Sequence, residues 1–273
     1  MTLAIAPAQP QTTTPLSYRK SVELLRPQQL QVLRRAYRAS QAQNDDRGFR
    51  RWAGIHGLPL PYSCQHHTEL FLPWHRAYLY FFELSLKRYE PTVTLPWWDW
   101  TSASSHQHGV PPSYAVAKVG GTANPLAAGG PIDPLATKQG RNSGVGGPRI
   151  TSRNHDSAAS LPTAADIANV LKLGDFLDFQ QQLEQIHDDV HVWCGGTMAE
   201  IPFAAFDPLF FAHHAMIDRV WRLWQLRHPT AVVPHSLLGD ALDPFHITVA
   251  DTIDVTALGY DYATFSSRTV ISS

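Results

Sequence analysis

The amino-acid sequence predicts a mainly α-helical protein, a single domain built on a four-helix bundle with long irregular loops. Three observations carry this prediction. Four segments place apolar residues at the three- and four-residue spacing of a helix face, and proline or glycine marks most of their ends. Three of the four carry histidine on the face expected to be buried. The 273 residues also suffice for one large core.

The first half of the chain contains two of these segments. Residues 1–17 are predicted to form a flexible leader rich in proline and threonine, and 18–273 to form the single domain. The first helix is predicted from Pro27 to about residue 42. A loop that contains His56 follows, and the second helix is predicted to start at Pro73 and to stop before Pro91.

The second half supplies the other two helices. The aromatic run at 95–100 is too dense for a solvent-exposed loop, whereas 101–165 is an excursion rich in Gly, Ala, Ser and Pro that is either ordered or flexible. The third helix is predicted from about residue 174 to 192, ended by two glycines. The fourth follows Asp207 and Pro208, and the chain after 229 is expected to be irregular or to form short strands.

Charge and hydropathy exclude several classes of partner. The formal net charge is -1 and no long basic run occurs, so we expect neither nucleic acid nor a membrane surface as partner. No apolar run reaches the length of a membrane span. The N-terminus does not resemble a signal peptide, which predicts a cytoplasmic protein by default; export with a partner would leave no mark here.

Histidine is the residue type that calls for an explanation, since the chain has 14. His187 and His191 stand four apart, which puts both imidazoles on one helix face, suited to one metal ion. On the next helix, His213 and His214 point roughly 100° apart, so only one should join this set. His214 shares its stripe with the apolar residues and is the better candidate.

A second set is predicted in the first half of the chain. His75 lies in the first turns of its helix, and His66 would reach it from the incoming loop, with His67 as the competing neighbour. His56 would be the third ligand. Two open sets of three neutral imidazoles suit copper, zinc, iron or nickel, and two such sites facing each other suit the binding of dioxygen between them. Each histidine alone could equally be a buried core residue.

Four segments, taken in order, resemble the tyrosinase and polyphenol oxidase family of type 3 copper proteins. They are HHTELFLPWHRAYLYFFE (66–83), PWWDW (96–100), LEQIHDDVHVWCGG (183–196) and FDPLFFAHHAMIDRVW (206–221). The resemblance implies a tyrosinase-like catalytic domain with a dinuclear copper centre and dioxygen as co-substrate. It selects His66 over His67 and His214 over His213, so the implied ligands are His56, His66 and His75 for one copper and His187, His191 and His214 for the other.

The resemblance also implies roles for residues around the metals. Cys64 takes the place of a cysteine that forms a thioether to the histidine at position 66 in some family members. Glu184 matches an acid that orients a water near the phenol, and Asp188, where asparagine is common, could itself accept a phenolic proton. Val192 and Ile201 fall at positions that gate substrate entry, and Arg76 with Asp218 would form a buried structural pair.

The resulting hypothesis is an enzyme that oxidises o-diphenols to o-quinones with dioxygen and that could also hydroxylate monophenols. Its partners would be a small phenolic substrate and a copper-delivery protein. Three alternatives stay open: an o-aminophenol oxidase of a biosynthetic pathway, a hemocyanin-like oxygen-binding protein, and a dinuclear zinc hydrolase. The last is disfavoured because no bridging carboxylate is evident.

Overall fold

The computed structural model describes residues 15–59 and 63–263, and within them the fold is mainly helical. The α-helices in chain order are α1 (Pro27–Gln41), α2 (Phe49–His56), α3 (Phe71–Lys87), α4 (Ala103–His108), α5 (Pro112–Ala115), α6 (Pro134–Ser143), α7 (Ala164–Val170), α8 (Phe176–Cys194), α9 (Ile201–Ala204) and α10 (Leu209–Arg227). The strands are β1 (Ser17–Arg19), β2 (Lys118–Val119), β3 (Thr122–Ala123) and β4 (Tyr260–Tyr262). Short 3-10 turns connect several of these elements.

Helices α2, α3, α8 and α10 form the centre of the molecule. Helix α10 packs against both α3 and α8, and α3 also contacts α8. Residues 209–221 of α10 are all buried, including Phe210, Phe211 and Trp221, because other elements surround this part of the helix. The predicted fold class is confirmed. In the described part of the chain, no helix has the length and hydropathy needed to cross a bilayer.

The helix predictions need two corrections. Helix α3 begins at Phe71, two residues before the predicted start, so Pro73 lies inside the first turn, where its missing N–H has no carbonyl partner to lose. The prediction that His56 lies in a loop is wrong, because it is the last residue of helix α2. Gly57 follows, where the chain runs so close to α9 that a Cβ would come within 2.2 Å of the Pro202 carbonyl oxygen.

The excursion at 101–165 is ordered. Arg153 anchors it by donating from Nε and Nη2 to the carboxylate of Asp207, and by donating to the carbonyls of Tyr114 and Leu126. The aromatic run before it is buried as predicted, since Trp97, Trp98 and Trp100 are inaccessible to solvent. The excursion is therefore part of the core packing.

The two ends of the described chain meet in a small parallel sheet, in which Ser17, Tyr18 and Arg19 pair with Tyr260–Tyr262. Residues 1–14 of the predicted leader lie outside the described residues, and Ser17 already belongs to the strand. The sheet places Arg19 next to α3 and α10, and Nε of Arg19 donates to the carboxylate of Glu83 in α3 at 2.9 Å.

Candidate metal centre

Four helices and one loop bring six imidazoles together in the core. The first triad joins His56 from the end of α2, His75 from the second turn of α3 and His66 from segment 63–70. Ring centroids are 5.1 Å apart for His56 and His66, 5.1 Å for His66 and His75, and 5.6 Å for His56 and His75. These separations leave room for one ion between the three rings.

The second triad joins His187 and His191 from α8 to His214 from α10. Nε2 of His214 lies 3.2 Å from Nε2 of His187 and also 3.2 Å from Nε2 of His191. The three nitrogens therefore converge on one point, as the four-residue spacing on α8 predicts.

The two triads face each other across the bundle. The rings of His75 and His214 stack at 4.6 Å, and those of His66 and His187 stack at 5.7 Å. The donor nitrogens of His56, His75 and His214 lie within 4.8 Å of one another, so the two groups adjoin. A pair of ions held here would be close neighbours.

Hydrogen bonds on the outer nitrogens orient three of the rings. Nδ1 of His75 lies 2.8 Å from the Phe71 carbonyl oxygen, and Nδ1 of His191 lies 2.7 Å from that of Met198. Nδ1 of His187 lies 2.9 Å from Oδ1 of Asp188. Each ring must donate through Nδ1 to these oxygens, which leaves the lone pair on Nε2, as in metal-binding histidines.

The donor set fits a metal on two further counts. Among the described residues, Nε2 of His56 and of His75 has no hydrogen-bond partner, although both are buried. Burial also lowers the pKa of each of the six imidazoles, to about 3 for His66 and about 4 for His191. Buried, neutral and unpartnered nitrogens are costly unless something binds them, and copper suits such ligands.

In the adjacent pairs 66/67 and 213/214, the histidine left out of the triads lies in a different environment in each case. His67 is exposed, with Nε2 3.7 Å from Oδ2 of Asp188. His213, by contrast, is fully buried, and its ring lies 5.2 Å from that of His187 and 4.8 Å from that of His191. Because adjacent residues on a helix point about 100° apart, only His214 was expected this close to His187 and His191. The burial of His213 follows from its place in α10, where residues 209–221 are buried on every side of the helix.

A cavity of about 280 Å³ opens onto the imidazoles of both triads. Asp188, Val192 and Ile201 line it, at the positions proposed for proton transfer and gating. Val192 is 71% exposed and Ile201 45% exposed, so both stand where the cavity meets solvent. A small aromatic molecule could reach the imidazoles between them.

Glu184 and Cys64 lie next to this cavity. Glu184 lines a neighbouring polar cavity of about 300 Å³ that shares His67 and Asp188 with the first. Burial raises the pKa of Glu184 to about 7. The thiol of Cys64 is free, and its sulfur lies within 4.8 Å of ring nitrogens of His56 and His66, a separation compatible with the proposed thioether.

Comparison with known proteins identifies the family. Residues 46–227 match the model of the common central domain of tyrosinase. The chain is 34% identical to a tyrosinase of Streptomyces glaucescens over 218 residues, which cover 70% of this chain and 78% of that protein. It is 32% identical over 231 residues to hemocyanin units G and H of Sepia officinalis, which cover 80% of this chain but only 39% of that longer protein.

The fold agrees with these sequence matches. A functional unit of octopus hemocyanin superimposes with a TM-score of 0.76 at 29% sequence identity, covering 90% of this chain and 68% of that one. The matched residues 46–227 contain all six histidines of the two triads. The chain belongs to the tyrosinase family of type 3 copper proteins.

Proposed function

We propose that this protein is a type 3 copper oxidase that uses dioxygen to convert o-diphenols into o-quinones. His56, His66 and His75 would hold one copper and His187, His191 and His214 the other. The observation that carries the proposal is the open cavity over both triads, because a pure oxygen carrier has no need of an entrance for an aromatic ring. Two o-diphenols and one dioxygen would give two o-quinones and two waters.

When bound, the copper pair would supply the redox chemistry with dioxygen. The protein's own contribution is orientation and access. The carbonyls of Phe71 and Met198 fix the rings of His75 and His191, so the two triads keep their separation while substrate enters. Val192 and Ile201 would guide the phenol ring edge-on past the cavity mouth.

Asp188 is the carboxylate best placed to receive a phenolic proton. It is half-buried, lines the cavity, and its Oδ1 is already bonded to His187. Burial raises the pKa of Asp188, which brings this carboxylate closer to the range of a useful base. Proton removal from a monophenol would permit hydroxylation as a second activity, with Glu184 assisting from the neighbouring cavity.

A copper titration followed by a substrate panel tests the proposal. We expect two coppers per chain and turnover of catechol, with tyrosine and o-aminophenol measured in parallel. Preference for o-aminophenol would favour an aminophenol oxidase. His191→Ala should lose one copper and all turnover, whereas His108→Ala, on the exposed end of α4, should keep both. Full copper and turnover in His191→Ala would contradict the ligand assignment.

The second candidate is a reversible oxygen carrier, which the similarity to Sepia and octopus hemocyanins favours. It would use the same two triads without admitting substrate. Oxygen binding that reverses under vacuum, together with no oxidation of catechol, would support the carrier. Rapid catechol oxidation would exclude it.

A further inference from the structure

His66 differs from the other five histidines because no helix supports it. It lies in segment 63–70, between α2 and α3, and the side chain is only partly buried. A metal ligand needs a fixed orientation, and a loop residue cannot obtain one from a helix backbone. Contacts from outside the segment can supply that orientation, in addition to the thioether proposed for Cys64.

Glu184 of α8 makes one contact to this segment. Its Oε1 accepts a hydrogen bond of 2.6 Å from the backbone N–H of His67, the residue next to His66. His67 has a φ of 55°, in the left-handed region that residues other than glycine seldom adopt. The bond from Glu184 thus holds the backbone in an unusual conformation directly beside the ligand.

Gln180 makes the second contact, one turn earlier on the same helix. Its Oε1 accepts from the N–H of Leu72 at 3.1 Å, and its Nε2 donates to the carbonyl of Thr68 at 3.2 Å. Gln180 and Glu184 are both buried, 4% and 5% exposed. Together they bind the backbone at 67, 68 and 72, on both sides of the start of α3.

We infer that Gln180 and Glu184 form a clamp by which helix α8 positions His66, and with it the first triad. The spacing supports this, because 180, 184, 187 and 191 follow one face of α8. The helix would then hold the second triad directly, through His187 and His191, and the first triad indirectly, through two side chains. Gln180 and Glu184 are positioning residues in this arrangement.

The inference rests on the proposed dicopper function, and its test measures copper rather than turnover. Anaerobic competition with a Cu(I) chelator resolves the two binding steps of wild type and of Gln180→Leu and Glu184→Leu. Loss of such outer contacts typically weakens metal binding about 10- to 100-fold. We expect that loss in one step only, the step that involves His66, with the other unchanged.

Two further variants serve as a rescue and a control for this experiment. Glu184→Gln retains an oxygen that can accept from His67, so it should restore most of the lost affinity, whatever it does to proton transfer. Gln182→Leu, on the exposed face of the same helix, should bind both coppers as wild type does. Thermal unfolding of the metal-free variants identifies any that fold poorly, and Glu184→Gln remains informative if the leucine variants do not fold.

The outcomes separate the two proposals. Wild-type protein that binds fewer than two coppers contradicts the dicopper function. Two tight steps in wild type that stay unchanged in Gln180→Leu and Glu184→Leu overturn the clamp and leave the function standing. Equal weakening of both steps also overturns it, since that indicates general loss of stability.

Discussion

Arg76 donates from Nε to Oδ1 of Asp218 at 2.5 Å, and this contact joins the two helices that carry His75 and His214. The other carboxylate oxygen, Oδ2, accepts from Arg19 and from the hydroxyls of Tyr260 and Tyr262. All of these groups are buried. One carboxylate thus links α3, α10 and the sheet of β1 and β4, as expected for the buried pair predicted from the sequence.

Replacing Asp218 by asparagine should be strongly destabilising. It leaves Arg76 and Arg19 buried with less negative charge to balance them, and breaking a buried pair in this way typically costs about 3–5 kcal/mol. Urea unfolding of the metal-free protein measures the loss. Glu90→Gln breaks the exposed pair with Arg35, which solvent screens, and should cost far less. Similar losses in both variants would contradict the central role of Asp218.

The adjacent histidines 66 and 67 should respond in opposite ways to substitution. His66→Ala removes one ring of the first triad and should reduce the copper content from two ions per chain to about one. His67→Ala removes an exposed ring and keeps the backbone N–H that Glu184 binds, so both coppers should remain. Metal analysis after gel filtration distinguishes them. Loss of copper in His67→Ala alone would reverse the assignment.

Ile201 should set the size of substrate that reaches the metals. Ile201→Trp narrows the mouth of the cavity and should lower kcat/KM for 4-tert-butylcatechol about tenfold more than for catechol, or about 1.4 kcal/mol. Val232→Trp changes another exposed apolar residue, one that lies outside this cavity, and it should leave the ratio unchanged. An unaltered ratio of the two kcat/KM values in Ile201→Trp would show that Ile201 does not limit substrate size.

The metal-free protein should lose stability as the pH falls below about 6.5. Burial lowers the folded-state pKa of the six triad imidazoles and of His213, so the unfolded chain binds more protons in this range. Each such group contributes up to about 1.4 kcal/mol per pH unit, present above pH 6.5 and lost toward the folded values, about 4 for His191.

Glu184 and Asp188 act in the opposite direction, because their raised pKa values favour the folded state as the pH falls, but two groups cannot offset seven. Urea unfolding at pH 7.5, 6.5 and 5.5 measures the net slope. His108→Gln removes an exposed histidine and serves as the control. A free energy of unfolding that is constant from pH 7.5 to 5.5 would contradict the prediction.

The sequence predicted α1, α8 and α10 well, because their apolar spacing and their end residues agree with the packing they meet. Helix α2 was not predicted from the sequence, for physical reasons. It has eight residues, begins after Gly48 with no side-chain cap, and contains Gly54. Local propensity does not favour such a helix; burial of Phe49, Ala53 and Ile55 does.

The centre itself was predictable where spacing carried the information, as with His187 and His191. His66 could be chosen over His67 only through family resemblance, since both lie in one irregular segment. Gln180 was missed, although a signal existed: it is a polar residue on the same face as Glu184, His187 and His191. Its backbone partners, Thr68 and Leu72, lie more than 100 residues away and leave no mark on the local pattern.

The packing of the excursion against the cavity wall has a practical consequence. Helix α6 contacts α9, the short helix that presents Ile201, and Gly140 lies so close that a Cβ there would come within 2.5 Å of the Phe203 ring. A larger residue at Gly140 would therefore press on Phe203 in α9 without replacing any residue of the two triads. Directed evolution could use substitutions on α6 to alter the cavity mouth beside Ile201, and with it the size selectivity proposed for that mouth, while the two histidine triads stay intact.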